Sequence, residues 1–328
     1  MYSFGGAMKL QKLIIFILAF SLAGCAHHVV VQEIAGPQIE TTLPFIPSEE
    51  STLPTELFTT PIEATEPTEN ENILPQMFVQ PEPSDDDFVL VRTYIPDVFV
   101  DLCYSTNHNF TNQRIYEFTD VWLRYGTVKK LILVQEELKQ NGLYLKIWDG
   151  FRPPSAQFKL WNVCPDPTYV SDPNVGFSSH SRGNTVDITL VHSDGTDLVM
   201  PTGFDDFSKL ADRDYRDCSP EAAENALLLE GLMIKHGFRP YSGEWWHFTD
   251  TQSYPVDNEF EPIEAVTYAA YCNEYISLRA KPSTASEVIT KILAGEQFEV
   301  VAYYGDFALI EYNDLFGFVL RDYIRVLE

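Results

Sequence analysis

Of the seven histidines in this 328-residue chain, two stand among residues that suggest work for an imidazole. His180 lies in Ser178-Ser179-His180-Ser181-Arg182-Gly183-Asn184-Thr185-Val186-Asp187, and His247 in Gly243-Glu244-Trp245-Trp246-His247-Phe248. Two imidazoles and one carboxylate can hold zinc with a position left open for water, and keep the ion electrophilic enough to acidify that water. His180, Asp187 and His247 can supply that set if a turn at Gly183 folds His180 back beside Asp187, which a continuous strand could not do at this spacing. Glu244 then stands near a ligand histidine, where it can take a proton from the attacking water and pass it to a leaving amine. Each segment alone is weak, because a histidine on an aromatic strand usually belongs to a core. Together they describe a metal-dependent hydrolase. Cys103, Cys164, Cys218 and Cys272 form no Cys-x-x-Cys pair, so they are not expected to hold the metal, and their disulfide state stays open among three pairings.

The elements that must position these residues read as α+β. Helical periodicity runs over 127–140, with Val128, Leu131, Leu133 and Leu138 along one side and Asn141-Gly142 as its stop. A second helix runs over 221–235, opened by Ser219-Pro220 and closed by His236-Gly237. Residues 143–148, 185–191 and 245–249 are rich in β-branched and aromatic side chains and read as strands. The order is not a regular alternation, which disfavours a doubly wound parallel sheet. Asp149-Gly150-Phe151-Arg152-Pro153-Pro154 reads as a constrained loop able to aim an arginine.

Outside that region the composition changes sharply. Lys9 and Lys12 precede an apolar run over 13–22, and Leu22-Ala23-Gly24-Cys25 resembles a lipobox, so residues 1–25 are expected to be a lipoprotein signal peptide with Cys25 as the lipidated residue. No Lys or Arg occurs between Lys12 and Arg92, and Glu, Pro and Thr recur up to Asp85-Asp86-Asp87. Residues 26–87 therefore read as a disordered acidic tether. The formal net charge of −26 excludes a nucleic-acid partner, which needs clustered Lys and Arg. Residues 88–262 read as the catalytic domain. Short strands over 276–279, 297–304, 307–312 and 317–320 give residues 268–328 a small-barrel signature. This segment resembles a bacterial SH3-like domain, opening on Leu278-Arg279-Ala280-Lys281-Pro282-Ser283 and closing on Gly317-Phe318-Val319-Leu320-Arg321-Asp322-Tyr323-Ile324.

From about Tyr94 to Phe260 the chain resembles the D-alanyl-D-alanine dipeptidases, zinc peptidases grouped with D,D- and L,D-carboxypeptidases. Four blocks carry the resemblance: Asp101-Leu102-Cys103-Tyr104 with Asn109-Phe110-Thr111, Trp148-Asp149-Gly150-Phe151-Arg152-Pro153, the Ser178 to Asp187 stretch, and Glu244-Trp245-Trp246-His247-Phe248. Thr185 departs from the family, which favours a small residue there. The resemblance implies an α+β zinc peptidase domain with an antiparallel sheet, followed here by a small all-β SH3-like barrel. It implies one Zn²⁺ per chain on His180, Asp187 and His247, Glu244 as catalytic base, and Arg152 on the scissile carbonyl. Ser178, Tyr104, Asp205 and Asp149 are implied to line the substrate pocket, with Asp205 pairing a free substrate amine. The expected reaction is hydrolysis of D-alanyl-D-alanine. Its rivals are D,D- or L,D-carboxypeptidase trimming of peptidoglycan stem peptides and an inert wall-binding lipoprotein. The expected setting is extracytoplasmic, with the anchor in a bacterial membrane and the SH3-like domain on the cell wall.

Overall fold

The computed structural model describes residues 80–327. The segment read as a signal peptide, Cys25 and most of the segment read as a tether lie outside the described residues. The last eight residues of that segment do not: Gln80–Asp87 are part of the folded body. The side-chain oxygen of Gln80 accepts from the Phe316 N–H at 2.7 Å, Asp85 pairs with Lys129 at 2.5 Å, and Lys281 pairs with Asp87. The backbone carbonyl of Asp86 accepts from Arg124 Nη1 at 2.5 Å. The run of acids that looked solvated in the sequence is held by specific cations and amides.

The catalytic region is built on a five-stranded sheet in the order β2 (Phe99–Val100), β4 (Leu143–Asp149), β5 (Thr185–His192), β7 (Glu244–Asp250) and β6 (Phe238–Tyr241). It is antiparallel except at one edge, where β2 runs parallel to β4. A separate two-stranded ribbon joins β1 (Phe88–Leu90) to β3 (Trp122–Arg124), with the single-turn helix α1 (Val91–Tyr94) following β1. Helix α2 (Tyr125–Lys139) packs against β4, and α4 (Pro220–Lys235) against β5, β6 and β7.

Helix α2 buries Val128, Leu131, Val134 and Leu138, the spacing of one helical face. Val134 takes the place expected for Leu133, which is 47% exposed: the helical turn carries position 133 past the core. In α4 the Ser219 hydroxyl accepts the Ala222 N–H at 3.1 Å, with Pro220 at the first helical position. A helix not foreseen from the sequence, α3 (Pro154–Val163), follows Arg152 directly and buries Ala156, Gln157 and Leu160.

The remaining strands form a seven-stranded antiparallel sheet. Its order is β10 (Val288–Leu293), β9 (Tyr275–Arg279), β13 (Leu315–Leu320), β12 (Phe307–Tyr312), β11 (Gln297–Tyr304), β8 (Phe260–Ala270) and β14 (Ile324–Val326). Strand β8 runs unbroken across the stretch between the two regions read from the sequence. Its C-terminal half pairs with the start of β11 in the SH3-like region. Its first residue, Phe260, is buried in the catalytic core, stacked on Phe88 at 4.3 Å and edge-on to Trp122 at 5.2 Å. Val301, Ala302 and Leu309 of the SH3-like sheet belong to that same core. Among the described residues no helix is long and apolar enough to cross a membrane.

Candidate active site

Three neighbouring strands set the site's register. Asp149 at the end of β4 faces Asp187 on β5, and Asp187 faces His247 on β7. His180 reaches the same place from a 3₁₀ turn, Ser179–Arg182, that precedes β5. Gly183 closes this turn with φ +72°, a conformation that strains any residue with a side chain. A Cβ there would also sit 2.3 Å from the Phe88 ring. The reversal brings His180 Nε2 to 3.3 Å from Asp187 Oδ2. The Ser178 hydroxyl caps the turn, accepting the His180 N–H at 3.4 Å.

Glu244 and His247 are three apart on one strand, and strict alternation would point them to opposite faces. A register shift prevents this: Pro240 pairs with Phe248 but the next residue, Tyr241, pairs with Glu244. The extra residues of β7, Trp245 to His247, form a bulge that re-aims the strand, so His247 Nδ1 and Glu244 Oε2 lie 3.5 Å apart. Trp245 and Trp246 are fully buried and anchor the bulge. The Trp245 indole donates to Thr202 Oγ1 at 2.9 Å, and Trp246 packs on Phe204.

His180, Asp187 and His247 each offer one donor atom within 4.8 Å of the others. The donors are prepared for a cation. His180 Nδ1 is 2.8 Å from the Gly150 carbonyl, which can only accept, so Nδ1 carries a proton and Nε2 is the nitrogen turned toward Asp187 as a ligand atom. Asp187 Oδ1 is buried and accepts no hydrogen bond; His247 Nδ1 lies 3.0 Å from it but not in hydrogen-bonding geometry. A buried carboxylate oxygen left without a proton donor, facing imidazole nitrogens, fits a metal ion. Burial opposes ionisation of Asp187, but the two imidazoles hold its carboxyl well below the usual range. Burial, reinforced by the Asp187 charge, pushes Glu244 the other way, upward.

Arg152 is buried and held from three sides. Its Nη2 pairs with Asp149 Oδ2 at 2.5 Å, Nε donates to the Tyr116 hydroxyl at 3.1 Å, and Nη1 donates to Gln157 Oε1 at 3.1 Å. Of five guanidinium N–H groups, two remain for a ligand. Asp149, expected to touch substrate, has no exposed surface. Its Oδ1 accepts from Tyr116 at 2.6 Å and from the Gly150 N–H at 2.8 Å while Oδ2 holds Arg152, so the carboxylate is spent on positioning. Tyr116 and Gln157 were not foreseen; a tyrosine just beyond a motif block and a glutamine on an unrecognised helix give no signal in the sequence.

Asp205 lies in a left-handed backbone conformation with φ +53° and accepts from the Tyr104 hydroxyl at 2.8 Å. Burial raises the Asp205 carboxyl to about 8; Tyr104 and Arg152 lower it, Asp187 and Glu244 raise it, so this carboxyl shares the electrostatic field of the site. Ser178 is half-buried beside the His180 turn. Among the described cysteines all four are free thiols, and burial pushes the Cys103 thiol upward, away from reactivity.

A mixed sheet that brings two imidazoles and a carboxylate together as candidate metal ligands, with a second carboxylate beside them and a fixed arginine, is the arrangement of a metallopeptidase. The model of the D-Ala-D-Ala dipeptidase family matches residues 84–265, and that of the bacterial SH3 domain matches residues 274–325. The chain is 37% identical over 172 residues to the D-alanyl-D-alanine dipeptidase of Escherichia coli (strain K12), a match covering 52% of this chain and 89% of the relative. The dipeptidase of Enterococcus faecium is 30% identical over 181 residues, covering 49% and 90%. That of Streptomyces coelicolor is 30% identical over 195 residues, covering 53% and 96%. The chain belongs to the D-Ala-D-Ala dipeptidase family, a zinc-dependent family of peptidases, and carries an SH3-like region after the catalytic domain.

Proposed function

We propose that the chain hydrolyses free D-alanyl-D-alanine to two D-alanines, with one zinc ion held by His180, Asp187 and His247. The observation that carries this reading is the convergence of these three donors with Glu244 and the two unspent N–H groups of Arg152. Zinc bound there supplies a Lewis acid that polarises the scissile carbonyl and lowers the pKa of water. Glu244, its pKa raised by burial, takes the proton of the attacking water and returns it to the leaving amine. Arg152 donates to the carbonyl oxygen as negative charge develops, in a geometry fixed beforehand by Asp149, Tyr116 and Gln157. Asp205, oriented by Tyr104, receives the substrate ammonium, and Ser178, which caps the His180 turn, lines the pocket for the small substrate side chain. An amine-pairing carboxylate favours a free dipeptide over the end of a longer chain, whose corresponding nitrogen is an uncharged amide.

Around this core we place an extracytoplasmic, lipid-anchored enzyme, with Cys25 as the anchor and residues 26–79 as a spacer. The signal-like leader and the acidic, Pro-rich composition support this setting. The SH3-like region is its contact with the cell wall.

The test is hydrolysis by the zinc-loaded protein of free D-Ala-D-Ala beside a stem pentapeptide ending in D-Ala-D-Ala, with Glu244→Gln as control. Faster cleavage of the dipeptide, and a loss on the order of 10³-fold in Glu244→Gln with zinc retained, is the expected result. Cleavage of the pentapeptide alone makes the enzyme a carboxypeptidase. Cleavage of neither leaves a wall-binding protein.

A further inference from the structure

The bulge that brings Glu244 and His247 to one face lies between Tyr241 at the end of β6 and His247 in β7, and one side chain bridges the carbonyls of both. Arg213, in the loop before α4, donates through Nε to the Tyr241 carbonyl at 2.7 Å and through Nη2 to the His247 carbonyl at 3.0 Å. Its own N–H donates to the Ser242 carbonyl at 3.3 Å. The guanidinium lies over the Phe248 ring at 4.4 Å, and the side chain is 9% exposed. From behind, Glu230 on α4 accepts from Arg213 Nη1 and from the Tyr215 hydroxyl, each at 2.8 Å.

We infer that Arg213 is a positioning residue that sets the bulge, and with it the spacing of Glu244 and His247, under the control of Glu230. This inference rests on the function proposed above. The geometry asks for arginine. Three donors leave one rigid plane toward two carbonyls and one carboxylate, and the plane's face covers an aromatic ring; an ammonium is a point donor on a flexible stem and cannot serve all four. Arg213 bonds to none of the residues placed at the substrate and to none of the three donor atoms, so its effect must pass through the backbone of His247.

The experiment compares Arg213→Ala, Arg213→Lys and Glu230→Gln with the wild type in the full chain. It measures kcat and KM for D-Ala-D-Ala, zinc affinity against a competing chelator, and thermal unfolding. The expected result is a fall in kcat of about 10–100-fold in Arg213→Ala, a zinc affinity about 10-fold weaker, and KM within about 2-fold of wild type. Arg213→Lys should recover little of the loss, and Glu230→Gln should show the same pattern in smaller measure. A variant that only melts earlier, with zinc affinity and kcat per folded molecule unchanged, overturns the inference, as does full rescue by lysine. Should Arg213→Ala fail to fold, Arg213→Lys and Glu230→Gln decide, since both keep a polar side chain of similar length at their positions. Zinc affinity separates this inference from the proposed reaction: a wild type that binds zinc but leaves the dipeptide intact removes the reaction, while the affinity series still tests the bulge.

Discussion

At the scale of single residues, the proposed mechanism separates groups that would meet the substrate from groups that hold those groups still. Asp149 was expected among the first and belongs to the second. Asp205 is the residue whose charge state should be felt in solution. Burial keeps its carboxyl protonated up to about 8, so the carboxylate that pairs with an ammonium forms only as pH rises toward that value. KM for free D-Ala-D-Ala should therefore fall as pH is raised, up to the point near 8 where the substrate's own ammonium is lost. In Asp205→Asn the KM should be higher throughout and flat below that point; a slope that survives the substitution would assign the titration to another group. The chemistry-bearing residues were legible because zinc sites use few residue types in recognisable order. Their supports were not. Tyr116 and Arg213 act through hydrogen bonds to positions more than thirty residues away, which no local pattern encodes, and Gln157 meets Arg152 only because the chain between them turns into helix α3.

At the scale of elements, two departures from regular structure build the site: the left-handed turn at Gly183 and the bulge in β7. The turn could be foreseen, since a glycine between His180 and Asp187 is the residue that reverses a chain cheaply. The bulge could not, because it exists only in the pairing of β6 with β7 and leaves no mark on β7 alone. Gly183→Ala should lower stability by about 1–3 kcal/mol from backbone strain, with a further loss from the Phe88 contact, and should weaken zinc binding by displacing His180. Chemical denaturation and metal titration of the same variant check both effects. Helix α3 was missed because Pro153-Pro154 reads as a loop, although a proline at the first position of a helix is a start signal as much as a stop. The exchange of Leu133 for Val134 in α2 reflects a run of four apolar residues, Leu131-Ile132-Leu133-Val134, in which periodicity alone does not choose the buried pair.

At the scale of the molecule, the described chain shares one core between its catalytic and SH3-like regions. Phe260 opens the strand that continues into the second sheet, yet its ring is buried against Phe88, Trp122 and Phe151 of the first. Phe260→Ala should cost about 3–5 kcal/mol and lower the stability of both regions together. Calorimetry should find one unfolding transition in the wild type; two independent transitions would show that the shared core does not couple them. Composition revealed that two kinds of structure are present, because short strands at close spacing look unlike the helix-bearing stretch before them. It did not reveal how they join, since nothing in the sequence of β8 says that Phe260 packs in one core while Ile263, Tyr268 and Ala270 pack in the other.

Strand β8 bears on how such a protein can change over evolutionary time. Appended domains are exchanged between enzymes most easily where a slack connector can be cut and rejoined without disturbing either side. Here the connector is a ladder strand, and Phe260 at its start, with Val301 and Ala302 of the neighbouring β11 and Leu309 one strand further, forms part of the wall of the catalytic core. Replacing this SH3-like region with another would open that core to water. The two regions are therefore expected to be inherited as a unit, each constraining which substitutions the other can accept.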